Sequence, residues 1–169
     1  MLSRFYPDAW VDSTYEIDFE KIYEKGYRGL IFDIDNTLVP HGAPADQRAI
    51  ALFERLKKLG FSCCLLSNNQ IERVSSFNEP IQVFFIENAH KPSVKNYRKA
   101  MKMMGTDERT TLFIGDQLFT DVYGAKRAGL KAVLVSPIHP KEEIQIVLKR
   151  YLEKIVLFFY QRKRGEGKR

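Results

Sequence analysis

Two aspartates, Asp33 and Asp35, stand one residue apart in the stretch GLIFDIDNTLVP, where an apolar run gives way to polar residues. Two carboxylates this close repel each other unless a cation lies beside them. Asp116, after a later apolar run, adds a third carboxylate, and Asp121 follows it five residues on. Oxygen ligands of this kind favour a hard divalent ion, and Mg²⁺ held by few carboxylates usually shares its coordination shell with a substrate phosphate. The acidic residues therefore predict a Mg²⁺ site that takes a phosphorylated substrate.

Groups that could bind phosphate are spaced along the same part of the chain. Ser67 stands at the end of the run FSCCLLS and offers a hydroxyl donor, with Asn68 next to it. Lys91, in the stretch HKPSV, offers a cation for phosphate oxygens. It precedes a predicted helix whose N-terminus, at Pro92, favours an anion. Carboxylates, a hydroxyl and a lysine together indicate phosphoryl-transfer chemistry.

The elements that must position these residues alternate between short apolar runs and amphipathic stretches. The predicted strands are GLIFDI, FSCCLL, IQVFFIE, TTLFIG and KAVLVS, whose mostly apolar composition is typical of strands covered on both faces. The predicted helices run from about Pro44 to Leu59, Pro92 to Met104, Thr120 to Ala128 and Lys141 to Tyr160. This order predicts an α/β fold with a central parallel sheet of about five strands flanked by helices. The polar residues would then meet beyond the carboxyl ends of the strands, where open parallel sheets bind their ligands.

Length and charge limit the possibilities further. The chain has 169 residues, 44% of them hydrophobic, and is about one domain long. We predict one domain over residues 1–160 and a basic, disordered tail over 161–169. The net charge of +6 comes almost entirely from residues 141–169, which hold 9 basic and 4 acidic residues. The body is nearly neutral, so the sequence carries no strong nucleic-acid signal.

The N-terminus and the cysteines favour a cytoplasmic protein. The first ten residues, MLSRFYPDAW, contain no continuous apolar stretch of the signal-peptide type. No run in the chain approaches the ~18 apolar residues that span a bilayer. Cys63 and Cys64 are neighbours in a predicted strand and would point to opposite faces as small core residues.

These polar clusters resemble the four motifs of the haloacid dehalogenase-like (HAD) phosphohydrolases. DIDNT, LLSNN, the lysine of HKPS and GDQLFTD follow the order and approximate spacing of that family over about residues 28–136. The DxDxT and GDxxxxD matches are moderately specific, whereas a lone serine or lysine is not. The specificity comes from finding all four in order, each after an apolar run. The resemblance implies a HAD-like Rossmannoid fold and a Mg²⁺-dependent phosphatase.

The resemblance also implies a role for each residue. Asp33 would be the nucleophile that forms an aspartyl-phosphate, and Asp35 would protonate the leaving oxygen and then activate water. This division of roles requires the pKa of Asp35 to be raised relative to that of Asp33. The remaining implied roles are metal ligation by Asp33, the backbone carbonyl of Asp35 and Asp116, completion or orientation of the metal shell by Asp121, phosphate binding by Ser67, Asn68 and Lys91, and support of the nucleophile loop by Thr37.

Plainer interpretations remain open for some of these residues. Asp33 and Asp35 alone could form a turn or cap a helix, and Asp121 could be an acidic residue at a helix N-terminus. His41, just past the nucleophile loop, could touch substrate, but its setting, like that of His90, is typical of a solvated loop histidine.

The spacing of the motifs predicts a protein without a cap domain. In this family, cap modules are inserted after the first motif or between the second and the third. About thirty residues separate Asp35 from Ser67, and the interval from Ser67 to Lys91 has room only for a short helix and a strand. An open site suits a large phosphorylated substrate: a protein, a nucleic-acid end or a lipid headgroup.

The predicted C-terminal helix has an apolar stripe with two possible uses. The stripe consists of Ile144, Val147, Leu148, Tyr151, Leu152, Ile155, Phe158 and Phe159. Such stripes most often pack on the protein's own sheet. However, this one continues into Arg162, Lys163 and Arg164, and an apolar edge beside a basic cluster fits a peripheral membrane anchor.

The stretch FYPDAWVDS and the segment leading to DIDNT resemble one capless subgroup, the YqeG-like proteins, which are similar to mitochondrial phosphatidylglycerophosphate phosphatases. This resemblance implies removal of the terminal phosphate of phosphatidylglycerophosphate to give phosphatidylglycerol. Two rival functions stay open: a HAD phosphatase for a soluble or protein phosphoester, and a non-catalytic binding protein on the same scaffold. The intact pair of Asp33 and Asp35 counts against the second.

Overall fold

Six parallel strands form one sheet in the computed structural model, which describes residues 2–139 and 144–166. The strands are β1 (Ala9–Val11), β2 (Gly29–Phe32), β3 (Ser62–Leu66), β4 (Phe84–Ile86), β5 (Thr111–Gly115) and β6 (Lys131–Val135). Their order across the sheet is β1-β6-β5-β2-β3-β4. The predicted parallel α/β sheet is confirmed, with one strand more than predicted.

The additional strand is β1, at one edge of the sheet. Residues 9–11 pair in parallel with residues 133–135 of β6. Asp8, just before β1, accepts a hydrogen bond from the Ala132 amide at 2.9 Å and pairs with Lys126 and Lys131 at 3.0 and 3.2 Å. A three-residue strand is too short to show a hydrophobic period, so the sequence pattern does not reveal it.

The order of the strands creates a crevice at the end of β2. From β2 the chain runs outward through β3 to β4, and then returns to β5 on the other side of β2. Parallel sheets bind ligands at such a topological switch point. Asp33 follows β2 directly and Asp116 follows β5 directly, so these two carboxylates meet at the crevice.

Helices flank the sheet: the four that the sequence predicts, a short one in the interval between Ser67 and Lys91, and one before β2 that was not predicted. They are α1 (Phe19–Glu24), α2 (Gln47–Leu59), α3 (Ile71–Asn78), α4 (Val94–Met104), α5 (Tyr123–Arg127) and α6 (Ile144–Glu166), with a π-helix at Leu118–Val122 before α5. Helix α2 begins at Gln47 rather than at Pro44, because the Asp46 side chain caps it by accepting from the Ala49 amide at 2.7 Å. Likewise, α4 begins at Val94 rather than at Pro92.

Two hydrophobic clusters, one on each face of the sheet, hold the helices in place. Phe19, Phe53 and Phe77 bring α1, α2 and α3 into the first cluster, and the second includes residues of α4, α5 and α6. Cys63 belongs to the first cluster and Cys64 to the second. The two cysteines are thus buried core residues on opposite faces, as predicted.

No cap domain is present in the two intervals where one was considered, both of which the structure describes in full. Between β2 and β3 the chain forms α2, and between β3 and β4 it forms α3. The edge of the sheet that carries the motif residues therefore stays open, as the spacing predicts.

Helix α6 runs from Ile144 to Glu166. The predicted start of this helix, at Lys141, lies outside the described residues, as do residues 167–169. Residues 161–166, which the sequence assigns to the tail, are helical; the division into a domain and a disordered tail stays a prediction. Within the described ranges, none of the helices combines the length with the apolar character needed to cross a membrane.

The described part of the apolar stripe on α6 faces solvent. Its five members there are 43–64% exposed: Tyr151, Leu152, Ile155, Phe158 and Phe159. Helix α6 instead buries Glu153, Val156 and Tyr160. The interpretation that the stripe packs on the sheet is therefore wrong for these five residues, while the side chains of Ile144, Val147 and Leu148 lie outside the described part of the chain.

Candidate active site

A cavity of about 210 Å³ opens at the crevice beyond β2. Five residues with a role predicted from the family resemblance line it: Asp33, Asp35, Ser67, Asn68 and Lys91. His41, Asn69, Gln117, Thr120 and Lys149 complete the lining. The structure therefore brings residues from separate strand ends, and one residue of α6, to a single cavity.

Three buried carboxylates lie together beside the cavity, and one of them, Asp33, lines it. Asp33, Asp116 and Asp121 each offer an oxygen atom, and these atoms all lie within 4.8 Å of one another. An oxygen-only donor set with this much negative charge fits a hard cation such as Mg²⁺. The side chain of Asp35 is not part of this cluster.

Lys91 holds two of these carboxylates. Its Nζ donates to Asp33 Oδ1 and to Asp121 Oδ1, both at 2.7 Å. The Asn68 side chain fixes the backbone of Lys91 by accepting from its amide at 2.8 Å and donating to its carbonyl at 3.4 Å. The side chain of Asn68, which the sequence assigns to phosphate binding, is thus engaged with the lysine backbone.

Burial and neighbouring charges set the protonation states of Asp33 and Lys91. Burial raises the pKa of Asp33 to about 6, although the Lys91 ammonium opposes this shift. Burial lowers the pKa of Lys91, but the Asp121 and Asp33 carboxylates outweigh it and the net shift is upward. The lysine therefore keeps its charge, and Asp33 takes up a proton more readily than an exposed aspartate does.

Asp35 has partners separate from those of Asp33, which explains why the two aspartates can stand so close. Arg73 Nη2 donates to Asp35 Oδ1 at 2.9 Å, as does the Gly42 amide at 2.8 Å, and Asn69 Nδ2 donates to Asp35 Oδ2. Burial raises the pKa of Asp35, but these donors, led by Arg73, outweigh it and leave the pKa below its usual value. Each aspartate is thus stabilised by its own cation.

The groups of the protein alone give Asp33 and Asp35 a pKa order opposite to the one that the acid role requires. The pKa of Asp33 is raised and that of Asp35 is lowered, whereas the acid role requires the opposite. Burial raises the pKa of Asp33. The donors that lower the pKa of Asp35 are led by Arg73 of α3, a residue that the sequence analysis missed because it follows no strand end.

Asp116 is held from both sides of its carboxylate. Thr37 Oγ1 donates to its Oδ1 at 3.2 Å, and Arg150 of α6 pairs with its Oδ2. Burial raises the pKa of Asp116 well above its usual value, the charges of Asp33 and Asp121 add to this rise, and Arg150 opposes it. Thr37, expected to support the nucleophile loop, therefore contacts a carboxylate of the acidic cluster.

Ser67 and the two histidines complete the predicted set. Ser67 is fully buried and its Oγ accepts from the Asn69 amide at 3.2 Å. His41 lines the cavity from an exposed position, and His90 is exposed and lies outside the lining. Asp121 accepts from the Gln117 amide at 3.0 Å as well as from Lys91, so its side chain links Lys91 to the π-helix.

Similarity to known proteins agrees with this geometry. The HAD-hydrolase-like family model matches residues 88–145. The chain is 37% identical to the probable phosphatase YqeG of Bacillus subtilis (strain 168), over 96% of each chain. It is 26% identical to phosphatidylglycerophosphate phosphatase 1, chloroplastic/mitochondrial, of Arabidopsis thaliana, over 88% of this chain and 48% of that protein. The solved structure of NagD from E. coli K-12 shares the fold, with a TM-score of 0.54 over 67% of this chain and 89% of that one at 15% identity.

Proposed function

The chain belongs to the HAD-like hydrolases and is a YqeG-like phosphatase of that family, and from this premise we propose that it hydrolyses phosphatidylglycerophosphate to phosphatidylglycerol and phosphate with Mg²⁺ as cofactor. The observation that carries the proposed chemistry is the meeting of Asp33, Asp116 and Asp121 with Lys91 beside one open cavity.

In the first step, a carboxylate oxygen of Asp33 attacks phosphorus, and the bond from phosphorus to the leaving glycerol oxygen breaks. Asp35 gives its proton to that oxygen. The donors around Asp35 disfavour the protonated form, so this step requires Arg73 to part from Asp35 when substrate enters.

In the second step, water attacks phosphorus and the bond between phosphorus and Asp33 breaks, releasing phosphate and restoring the carboxylate. Asp35, now a carboxylate, takes the proton of the water. The resting contacts of Asp35 keep it ionised and able to accept a proton, but they also weaken it as a base, so this step too is favoured by loss of the Arg73 contact. Ser67 and Lys91 bind phosphoryl oxygens throughout.

Charge balance supports the proposed metal. Asp33, Asp116 and Asp121 carry three negative charges, and Lys91 and Arg150 return two positive ones. Mg²⁺, held by Asp33 and Asp116 with Asp121 orienting Lys91, would supply two further positive charges and offset the negative charge of the phosphoryl group. With Asp35 and Arg73, and with Glu153 beside Arg150, the site would then be neutral instead of negative before a phosphate dianion enters, which favours binding of that substrate.

Support for a lipid substrate comes from the relative in Arabidopsis and from α6. Five large apolar side chains of α6 are exposed, and Arg162, Lys163 and Arg164 follow them on the same helix. Each basic residue near an anionic leaflet contributes about 1 kcal/mol to binding. Because Lys149 of α6 lines the cavity, a helix lying on the membrane surface would bring the site to a lipid headgroup.

The test is phosphate release from phosphatidylglycerophosphate in anionic vesicles, compared with p-nitrophenyl phosphate, in the presence of Mg²⁺. We expect wild type to turn over the lipid faster, Asp33→Asn to lose both activities, and the surface control Asp12→Asn to keep both. A double variant, Ile155→Ser with Phe158→Ser, should lose vesicle binding and lipid turnover while keeping the soluble ester.

Other results would redirect the assignment. Turnover of the soluble ester alone would keep the reaction and remove the lipid, leaving a soluble or protein phosphoester as the substrate class. Folded wild-type protein that is inactive on both substrates would favour a binding protein on this scaffold. Wild-type turnover by Asp33→Asn would remove Asp33 as the nucleophile.

A further inference from the structure

Helix α6 reaches the acidic cluster through one charged pair, the half-buried Arg150 and the buried Glu153. We propose that Arg150 is a positioning residue that fixes Asp116 for metal binding, so that α6 forms one wall of the metal site. This inference rests on the proposed Mg²⁺ site but is independent of the substrate.

Arg150 contacts both the side chain and the backbone of Asp116. Its Nη1 donates to the Asp116 carbonyl at 2.6 Å, and its Nη2 donates to Asp116 Oδ2. A planar guanidinium that bonds two atoms of one residue fixes the orientation of that residue, which a single-point ammonium cannot do. With Thr37 on Oδ1, the rotation of the Asp116 carboxylate is determined from two sides.

Glu153 fixes the arginine in turn. One of its oxygens accepts from Arg150 Nη1 at 2.9 Å and the other accepts from the Leu118 amide at 2.7 Å. Leu118 opens the π-helix that carries Asp121. The pair on α6 therefore contacts the segments that hold two of the three clustered carboxylates.

Positioning and simple charge balance predict opposite signs for one measurement. If Arg150 only neutralised the carboxylates, its removal would take one positive charge away from the site and strengthen Mg²⁺ binding. If Arg150 positions Asp116, its removal weakens Mg²⁺ binding, because partners that orient a metal ligand are typically worth 10–100-fold in metal affinity.

The experiment is calorimetric titration of Mg²⁺ into the substrate-free full chain. We expect the dissociation constant of Arg150→Met to rise about tenfold and that of Arg150→Lys, which keeps the charge, to rise by a smaller factor. The control is Lys163→Met, which removes one positive charge from an exposed position further along the same helix and should leave the dissociation constant unchanged. Circular dichroism verifies that each variant is folded. If Arg150→Met does not fold, the Mg²⁺ dissociation constant of Arg150→Lys tests the proposal.

Two outcomes overturn the inference and are distinguishable from each other. Wild-type or tighter Mg²⁺ binding by the arginine variants, with normal binding by wild type, refutes the positioning role alone. A wild-type protein that does not bind Mg²⁺ removes the metal part of the proposed function, and the inference with it.

Discussion

Lys91→Met would remove the ammonium that stands between Asp33 and Asp121 and leave both carboxylates buried without it. In the structure, Lys91 Nζ lies 2.7 Å from an oxygen of each, and the side chains of Lys91, Asp33 and Asp121 are 3%, 8% and 0% exposed. Breaking a buried ion pair from one side costs about 3–5 kcal/mol, because the remaining charge stays desolvated. For a chain of this length that corresponds to a fall in melting temperature of roughly 6–20 °C.

The assay is thermal unfolding of purified wild type and variant, first in EDTA and then in Mg²⁺. In EDTA we expect the melting temperature of the variant to fall by this full amount. Mg²⁺ at 100 times its dissociation constant adds about 2.7 kcal/mol to the stability of a folded protein. Because the variant lacks the competing ammonium, it should bind Mg²⁺ more tightly than wild type does, and its melting temperature should rise more.

The matched control is Lys126→Met, which breaks the pair between Lys126 and Asp8. That pair has a similar distance, 3.0 Å, but its side chains are 29% and 22% exposed, so its loss should cost at most about 1 kcal/mol. If Lys91→Met cost no more than Lys126→Met, the reasoning from burial would be refuted. An additional Asp121→Asn change should recover part of the loss, since it removes one of the two unpaired carboxylates.

Two further predictions concern positions outside this pair. Asp8→Asn should lower the free energy of unfolding, measured in urea at neutral pH, by about 1 kcal/mol. Burial raises the pKa of Asp8, but the Ala132 amide and the two lysines outweigh it and the net shift is downward. The difference from wild type should therefore be lost as pH falls through this lowered folded-state pKa. Gly115→Ala should reduce both stability, by about 1–3 kcal/mol, and phosphatase activity, because a Cβ there would lie 2.5 Å from Asp121 Oδ2; wild-type values for both would show that the Asp121 side chain can move without consequence.

The parts of the site that follow strand ends could be predicted from the sequence. Asp33, Ser67 and Asp116 each come directly after an apolar run, and a parallel sheet brings such positions to one edge. Since the run itself marks the strand, the position of the residue in the fold follows from its position in the chain. The convergence of these residues on one edge of the sheet therefore required no knowledge of the packing of the helices.

The helical contributions could not be predicted in this way. Arg73 lies on α3 and Arg150 on α6, and which face of a helix meets the site depends on packing that the sequence does not display. The signal that could have drawn attention to Arg150 is Glu153, three residues further on, since acid and base at this spacing share a helix face. The lowered pKa of Asp35 could not be predicted for the same reason, because Arg73 leads the donors that lower it.

Helix α6 also shows why an apolar stripe does not by itself identify the buried face. Its exposed face carries Tyr151, Ile155 and Phe158, while its inner face buries Glu153 and places Arg150 against Asp116. Burying charged groups and exposing large apolar ones each cost free energy in water. Both features acquire a physical reason if the inner face serves the metal site and the outer face meets an anionic lipid surface. The proposed membrane contact and the proposed role of Arg150 would then be two consequences of one helix lying between the sheet and the bilayer.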